Sequence, residues 1–276
     1  MRTTQIAEQA GYYETEHPEQ ALSDTLFDDS GNVRSLAEKR VTMSNALTRA
    51  GHGLTLAEKR TIMIAISKLD SRATVPNSVP MTKIYASEYA TCYEVDKNTA
   101  YEQLQTAANN LLNRKIVFYE PAYRRAKNKR DTDLTVVKMN WVGKIKYQKG
   151  EGWVELHWWP ELKPHLFNLK KQFTTYQLKQ ATALRSYYSW RLLELLMRFE
   201  KTGWVEFSIE DFITSMEIPE KVGENFAHVR RKIIEPAIAE LKAKDSWLIQ
   251  WVPTKQGRRV KKIRFQFTRD PQLQLF

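Results

Sequence analysis

With 276 residues, 42% of them hydrophobic and 11% aromatic, the chain is long enough for two domains with a core each and too apolar to be a disordered polymer. Its 43 Lys and Arg against 32 Asp and Glu leave a net charge of +11, which favours a polyanionic partner. The one cysteine, Cys92, excludes an internal disulfide and fits a reducing compartment. With no apolar run near about 18 residues and a polar, acidic N-terminus, a cytoplasmic protein without membrane contact is expected.

Residues 1–34 carry seven acids (Glu8, Glu14, Glu16, Glu19, Asp24, Asp28, Asp29) against Arg2 and Arg34, a net of −5 that leaves +16 on the remainder. They lack apolar periodicity, so a mobile acidic arm is expected. S-L-A-E at Ser35 to Glu38 and T-L-A-E at Thr55 to Glu58 match the capping box, in which a hydroxyl caps the first amides and Glu answers three residues on. Leu56, Ile62, Ile66 and Leu69, widened by Met63 and Ile64, stripe the helix opened by the second. Lys83 to Ala90 reads as a short helix, Val95 and Asp96 as a turn. About Lys97 to Arg114 reads as a longer helix with Tyr101, Leu104, Ala108, Leu111 and Leu112 inward. Ile116 to Tyr119 is β-like. The next stretch carries Arg124, Arg125, Lys127, Lys129 and Arg130 with little apolar content and reads as an exposed basic loop. Two strands follow, L-T-V-V-K-M-N-W-V-G-K-I-K-Y and W-V-E-L-H-W-W, joined by a turn from Lys149 to Gly152. Short helix, turn, longer helix and β-hairpin in this order describe a winged helix.

A long amphipathic helix is expected from about Thr174 to Phe199, ended by Gly203. The pattern then repeats. Ser208 caps a short helix with Asp211 at its third position, a turn spans Glu217 to Gly223, and Glu224 to Lys244 forms a helix with Phe226, Val229, Ile233, Ala237 and Leu241 as its apolar stripe. Trp247 to Trp251 and Val260 to Phe267 form a hairpin around P-T-K-Q-G-R-R. Tyr89 corresponds to Phe212, Leu104 to Ile233, Ala108 to Ala237 and Leu112 to Leu241, the mark of an internal duplication. The expected fold is α+β, with two tandem winged-helix domains (helix-turn-helix plus β-hairpin): an arm at 1–34, an N-terminal winged helix at 35–163, a C-terminal one at 164–270 and a tail at 271–276.

Asn225, His228, Arg231 and Lys232 flank the stripe of the second long helix and suit base edges in a major groove. Arg230 and, on the hairpin, Arg258, Arg259, Lys261 and Lys262 suit phosphates. The equivalent face of the first long helix offers Lys97, Asn98, Glu102 and Gln105, a weaker reader, with the basic loop as a backbone clamp; protein contact by that domain is an equal alternative. A nicking enzyme would need a tyrosine beside a metal held by paired histidines. Tyr187 and Tyr188 lie in a helical pattern, the five histidines are scattered, and no phosphate-binding Gly-rich loop is present. No catalytic residue, metal or cofactor is expected.

Three segments carry a family resemblance: N-A-L-T-R-A-G-H-G-L-T-L-A-E-K-R, the stretch Q-F-T-T-Y-Q-L-K-Q-A-T-A-L-R-S-Y-Y-S-W-R-L-L-E-L-L with its Tyr188 to Leu192 core, and F-A-H-V-R-R-K-I-I-E-P-A-I-A-E-L. From about Val41 to Arg269 the chain resembles the iteron-binding plasmid replication initiators of the Rep3 superfamily. The resemblance implies a protein whose monomers bind tandem origin repeats in double-stranded DNA and help open the duplex. It also implies dimers, joined through the N-terminal domain, that bind an inverted repeat and repress the initiator's own gene. A host replication initiator and the replicative helicase are the implied partners. Gln272, Leu273, Leu275 and Phe276 resemble the pentapeptide with which some such proteins bind the sliding clamp. A dedicated repressor with duplicated winged helices would use the same DNA contacts, and origin-dependent plasmid maintenance separates the two.

Overall fold

The structure, a computed structural model, describes residues 35–121 and 134–270. It opens with a 3-10 helix at Leu36–Glu38 and strand β1 (Arg40–Ser44), so the first capping-box match gives one short 3-10 turn that leads into a strand and opens no α-helix. Helix α1 (Asn45–Arg49) is capped by the Ser44 hydroxyl. In the second match both halves of the capping box form, and α2 (Leu56–Ser67) follows. Every residue of α2 from Glu58 to Ser67 is buried, so the helix is enclosed all round where the apolar stripe predicts a one-sided surface helix.

The first winged helix begins with β2 (Met81–Tyr85), whose alternating exposure is that of a strand with one wet face; this replaces the helix start expected at Lys83. Helix α3 (Ala86–Tyr93) starts where Glu88 accepts the Tyr85 N–H at 2.9 Å. Helix α4 (Lys97–Leu111) starts where Asp96 accepts the amides of Asn98 and Thr99, and the Thr99 side chain first, then these amides, hold its carboxyl below the ordinary value. Strands β3 (Lys115–Pro121) and β4 (Leu134–Asn140) form an antiparallel pair inserted before the wing. The single long strand expected through residue 147 breaks at Trp141, whose buried indole donates to the His52 carbonyl at 3.1 Å. Beyond it, β5 (Val142–Tyr147) joins a different sheet with β6 (Trp153–Trp158), in the order β2-β6-β5.

After α5 (Lys163–Leu166), β7 (Phe173–Gln177) pairs antiparallel with β1, from Arg40 opposite Gln177 to Ser44 opposite Phe173. This ladder corrects two expectations. Residues 174–177 are strand because β1 supplies their hydrogen-bond partners, leaving α6 (Lys179–Thr182) and α7 (Tyr187–Met197) in place of one long helix. A domain boundary at residue 163 would also cut the ladder in two, so residues through β7 pack with the first half.

The second winged helix repeats the first. It comprises β8 (Trp204–Ser208), α8 (Ile209–Ser215) with the expected Ser208 cap, a one-turn α9 (Glu220–Gly223), α10 (Phe226–Val229), a π-helical turn at Arg230–Ile234 and α11 (Glu235–Asp245). Strands β9 (Trp247–Gln256) and β10 (Arg259–Arg269) complete the sheet β8-β10-β9. With β2 equivalent to β8, β5 to β9 and β6 to β10, the two strand orders are the same. Tyr89 and Phe212, Leu104 and Ile233, and Ala108 and Ala237 are buried at matching places. Leu241 is fully buried, whereas Leu112 is half-buried against the core and its neighbour Leu111 is fully enclosed. One continuous apolar core runs through both halves.

Candidate nucleic-acid interface

The second long helix is interrupted for a covalent reason. Pro236 has no N–H to give the carbonyl four residues back and its ring crowds that turn. Just before it, the Glu235 N–H reaches the Arg230 carbonyl, five residues back, in the π-helical turn. The wider turn lets Ile233 and Ile234 both enter the core. It also leaves Arg230, Arg231 and Lys232 exposed as one cationic ledge. Arg230 leans on Glu235 at 3.3 Å; Arg231 and Lys232 form no ion pair among the described residues. His228 is half-buried. Asn225 is partly committed, since its side-chain oxygen accepts the Ala227 N–H at 2.9 Å and caps α10.

The wing stands beside this helix. A two-residue loop, Gly257 and Arg258, joins β9 to β10, with positive φ at Gly257 alone as a type II′ turn has. A bulge between Val260 and Lys262 turns Lys261 and Lys262 outward together. Lys261 lies 3.7 Å from Glu210, and Lys262 donates to Glu206 at 2.9 Å, which lowers the Glu206 carboxyl. Arg258 and Arg259 are exposed with no ion-pair partner among the described residues. The wing's outer face adds Arg264 stacked 4.6 Å over Trp204.

On α4, Lys97 and Asn98 are exposed at the first turn, Glu102 lies beyond them and Gln105 is half-buried. Among the described residues that face holds a single cation. Arg124, Arg125, Lys127, Lys129 and Arg130, like Gln272, Leu273, Leu275, Phe276 and the acidic arm, lie outside the described residues.

Between the two halves sits a buried polar junction that sequence reasoning missed. Lys59 on α2 donates to Glu194 on α7 at 2.7 Å and to the His52 Nδ1 at 3.0 Å, while the His52 Nε2 donates to the Leu47 carbonyl at 2.8 Å. Burial, partly offset by Glu194, brings the Lys59 ammonium down to about 8. Glu194 also accepts the Tyr176 hydroxyl at 3.0 Å, and that hydroxyl accepts the Trp190 N–H at 2.8 Å. Tyr187 donates its hydroxyl to Glu217, and burial pushes its ionisation far above the ordinary range. Among the described residues no cluster of metal-ligating side chains occurs and no helix is long and apolar enough to cross a membrane.

Two winged helices in tandem, the second with a cationic reading helix and wing, define a class of groove-reading proteins. A family model described as "Initiator Replication protein, WH1" matches residues 40–197, and one described as "Initiator Rep protein, WH2" matches residues 208–267. The chain therefore belongs to the Rep3 family of replication initiators. Its similarity to the PI protein of Escherichia coli is 25% identity over 260 residues, covering 84% of this chain and 83% of that one. An uncharacterized 27.6 kDa protein of Escherichia coli is 23% identical over 233 residues, or 79% of this chain and 91% of that one. A crystal structure of the Pi initiator protein in complex with iteron DNA matches 87% of this chain and 100% of its own with a TM-score of 0.68 at 22% identity, a likeness of fold.

Proposed function

We propose that this chain starts plasmid replication by binding iterons, repeated origin sequences in double-stranded DNA, through both winged helices. The observation that carries the proposal is the exposed Arg231 and Lys232 ledge on the second reading helix, in a tandem fold shared with a protein crystallised on iteron DNA. Arg231, Lys232, His228 and the free amide of Asn225 read base edges. Arg230, Arg258, Arg259 and Lys261 hold phosphates and fix register, and Lys262 joins them by exchanging Glu206 for the backbone. Lys97, Asn98 and Gln105 make a second, weaker contact, assisted by the 124–130 cations. Mechanism rests on binding energy: occupation of adjacent repeats bends the duplex, and an A·T-rich neighbour opens where deformation costs least.

The finer reading has monomers acting on direct repeats in the cytoplasm and dimers, joined through the first half, repressing the chain's own gene at an inverted repeat. A host initiator and helicase are then recruited, and the Gln272 to Phe276 peptide takes the sliding clamp as an extended ligand. Footprinting on the DNA upstream of its gene, with the size of the bound species measured, tests this. Protection of tandem repeats by monomers supports it; protection of a single inverted repeat by dimers alone reduces the protein to a repressor.

A further inference from the structure

Arg191, on α7, is fully buried and closes the C-terminal ends of two helices at once. Its Nη1 donates to the Thr48 carbonyl at 3.0 Å and its Nη2 to the Ala50 carbonyl at 3.1 Å, at the end of α1. Its Nε donates to the Ser215 carbonyl at 3.1 Å, the last residue of α8. Helix ends leave carbonyls without partners, and a planar guanidinium with five donors serves both ends in one fixed geometry. Helix α1 belongs to the first half, while α8 is the first helix of the second half's helix-turn-helix. Two acids answer the charge, Glu194 at 3.3 Å and Glu217 at 3.7 Å.

Glu217 lies in the turn after α8, in the left-handed region at φ 55. One of its oxygens accepts the Gly53 N–H from the loop between α1 and α2 at 2.7 Å, and the other accepts the Tyr187 hydroxyl. A third tie comes from α11, where Glu240 accepts the Arg185 N–H at 2.6 Å and the Ser186 N–H at 3.3 Å, just ahead of α7. The duplication supplies a control. Glu94 occupies the same turn of the first half at φ 52, yet it is exposed and makes no ion pair among the described residues. The same residue type in the same strained turn is captured only where the two halves meet.

We propose that Arg191 and Glu217 are positioning residues for DNA reading: they lock the two winged helices at one angle, and that angle sets the base-pair spacing the chain accepts between its two groove contacts. The proposal rests on the iteron-binding reading above. Apolar faces slide past one another, whereas hydrogen bonds from one guanidinium to two helix ends are directional. Each added base pair turns the next groove contact by roughly 35°, so a rigid pair of readers tolerates little change.

The test uses the full-length chain and duplexes carrying one direct repeat from its own replicon, intact or with one base pair inserted or removed between the two protected stretches. The wild type is expected to lose about tenfold or more in affinity on the altered duplexes, because the second contact becomes intramolecularly inaccessible. In Glu217→Ala that penalty should shrink to about threefold or less, Glu217→Gln should restore most of it, and Glu94→Ala should keep the wild-type penalty. Arg191 itself is left intact, because its loss strands buried carbonyls and Glu194. If Glu217→Ala does not fold, Tyr187→Phe, which removes one hydroxyl from the same clasp, takes its place. A folded Glu217→Ala or Tyr187→Phe that keeps the full penalty overturns the proposal. A wild type that binds the repeat but ignores spacing also overturns it, leaving the iteron reading intact. A wild type that binds the repeat no better than a scrambled duplex sinks both.

Discussion

Helix α4 of the first winged helix carries one cation, Lys97, near Glu102, whereas the equivalent stretch from Phe226 to Asp245 carries Arg230, Arg231, Lys232, Lys242 and Lys244. The wings differ in the same direction: β5 and β6 have 6 residues each, β9 and β10 have 10 and 11 with a tight basic turn. Strand order and buried positions nevertheless agree. What the core requires has been kept in both copies, while what solvent permits has diverged. In the proposed function the second half discriminates bases, and the first supplies a frame and a weaker contact.

The largest effect tests the shared core. Leu104→Ala and Leu241→Ala should each cost about 2–5 kcal/mol in denaturant unfolding, and both should shift one cooperative transition, since a single core spans the halves. Two separable transitions would break the equivalence. Next comes the divergent surface. Arg231→Ala should cost about 1–3 kcal/mol of binding and relax preference at one base pair, measured by titration against a panel of single-substitution repeats. Lys97→Ala should cost less than about 1 kcal/mol, as a single exposed charge does. Uniform weakening by Arg231→Ala would place that side chain on phosphate.

A smaller effect probes the junction. Burial first, then the Lys59 and Arg191 charges, hold the His52 imidazole well below 6.5. Below pH 6.5 the unfolded chain thus binds a proton that the folded chain refuses. Stability falls as pH drops through that window, by at most about 1.4 kcal/mol per unit from this group, and the group contributes no slope above it. Melting temperatures from pH 6.5 to 5 should fall more steeply in the wild type than in His52→Gln. The smallest effect belongs to the wing: the exposed, solvent-screened Lys262–Glu206 pair adds little to folding, so Lys262→Ala should leave the melting temperature nearly unchanged. Its salt slope of binding should drop by about 1 if the side chain reaches phosphate.

Elements with local signals were legible in the sequence. Thr55 with Glu58 and Ser208 with Asp211 cap the helices they announce, because capping is decided within four residues. The stripe from Phe226 to Leu241 faces the core as read, but the π-helical turn within it did not show in periodicity; Pro236 was the available signal. Residues 174–177 have strand character only because β1, more than a hundred residues away, pairs with them. The junction was hidden for the same reason. Nothing local says that Lys59 and Arg191 are enclosed or that Glu194 and Glu217 meet them. Asn225 was legible as polar and exposed, while its capping role needed the helix start at Phe226 to be known.

The most direct measurement is a binding titration of the full-length chain on its own direct repeat and on a scrambled duplex from 50 to 200 mM salt, a range over which phosphate-dominated binding weakens by about 10³–10⁵ for six to ten contacts. The account predicts a steep linear fall of log affinity with log salt for both duplexes, and a preference for the repeat of about 10³ or more at physiological salt. A flat salt dependence, or equal affinity for the two duplexes, would contradict it.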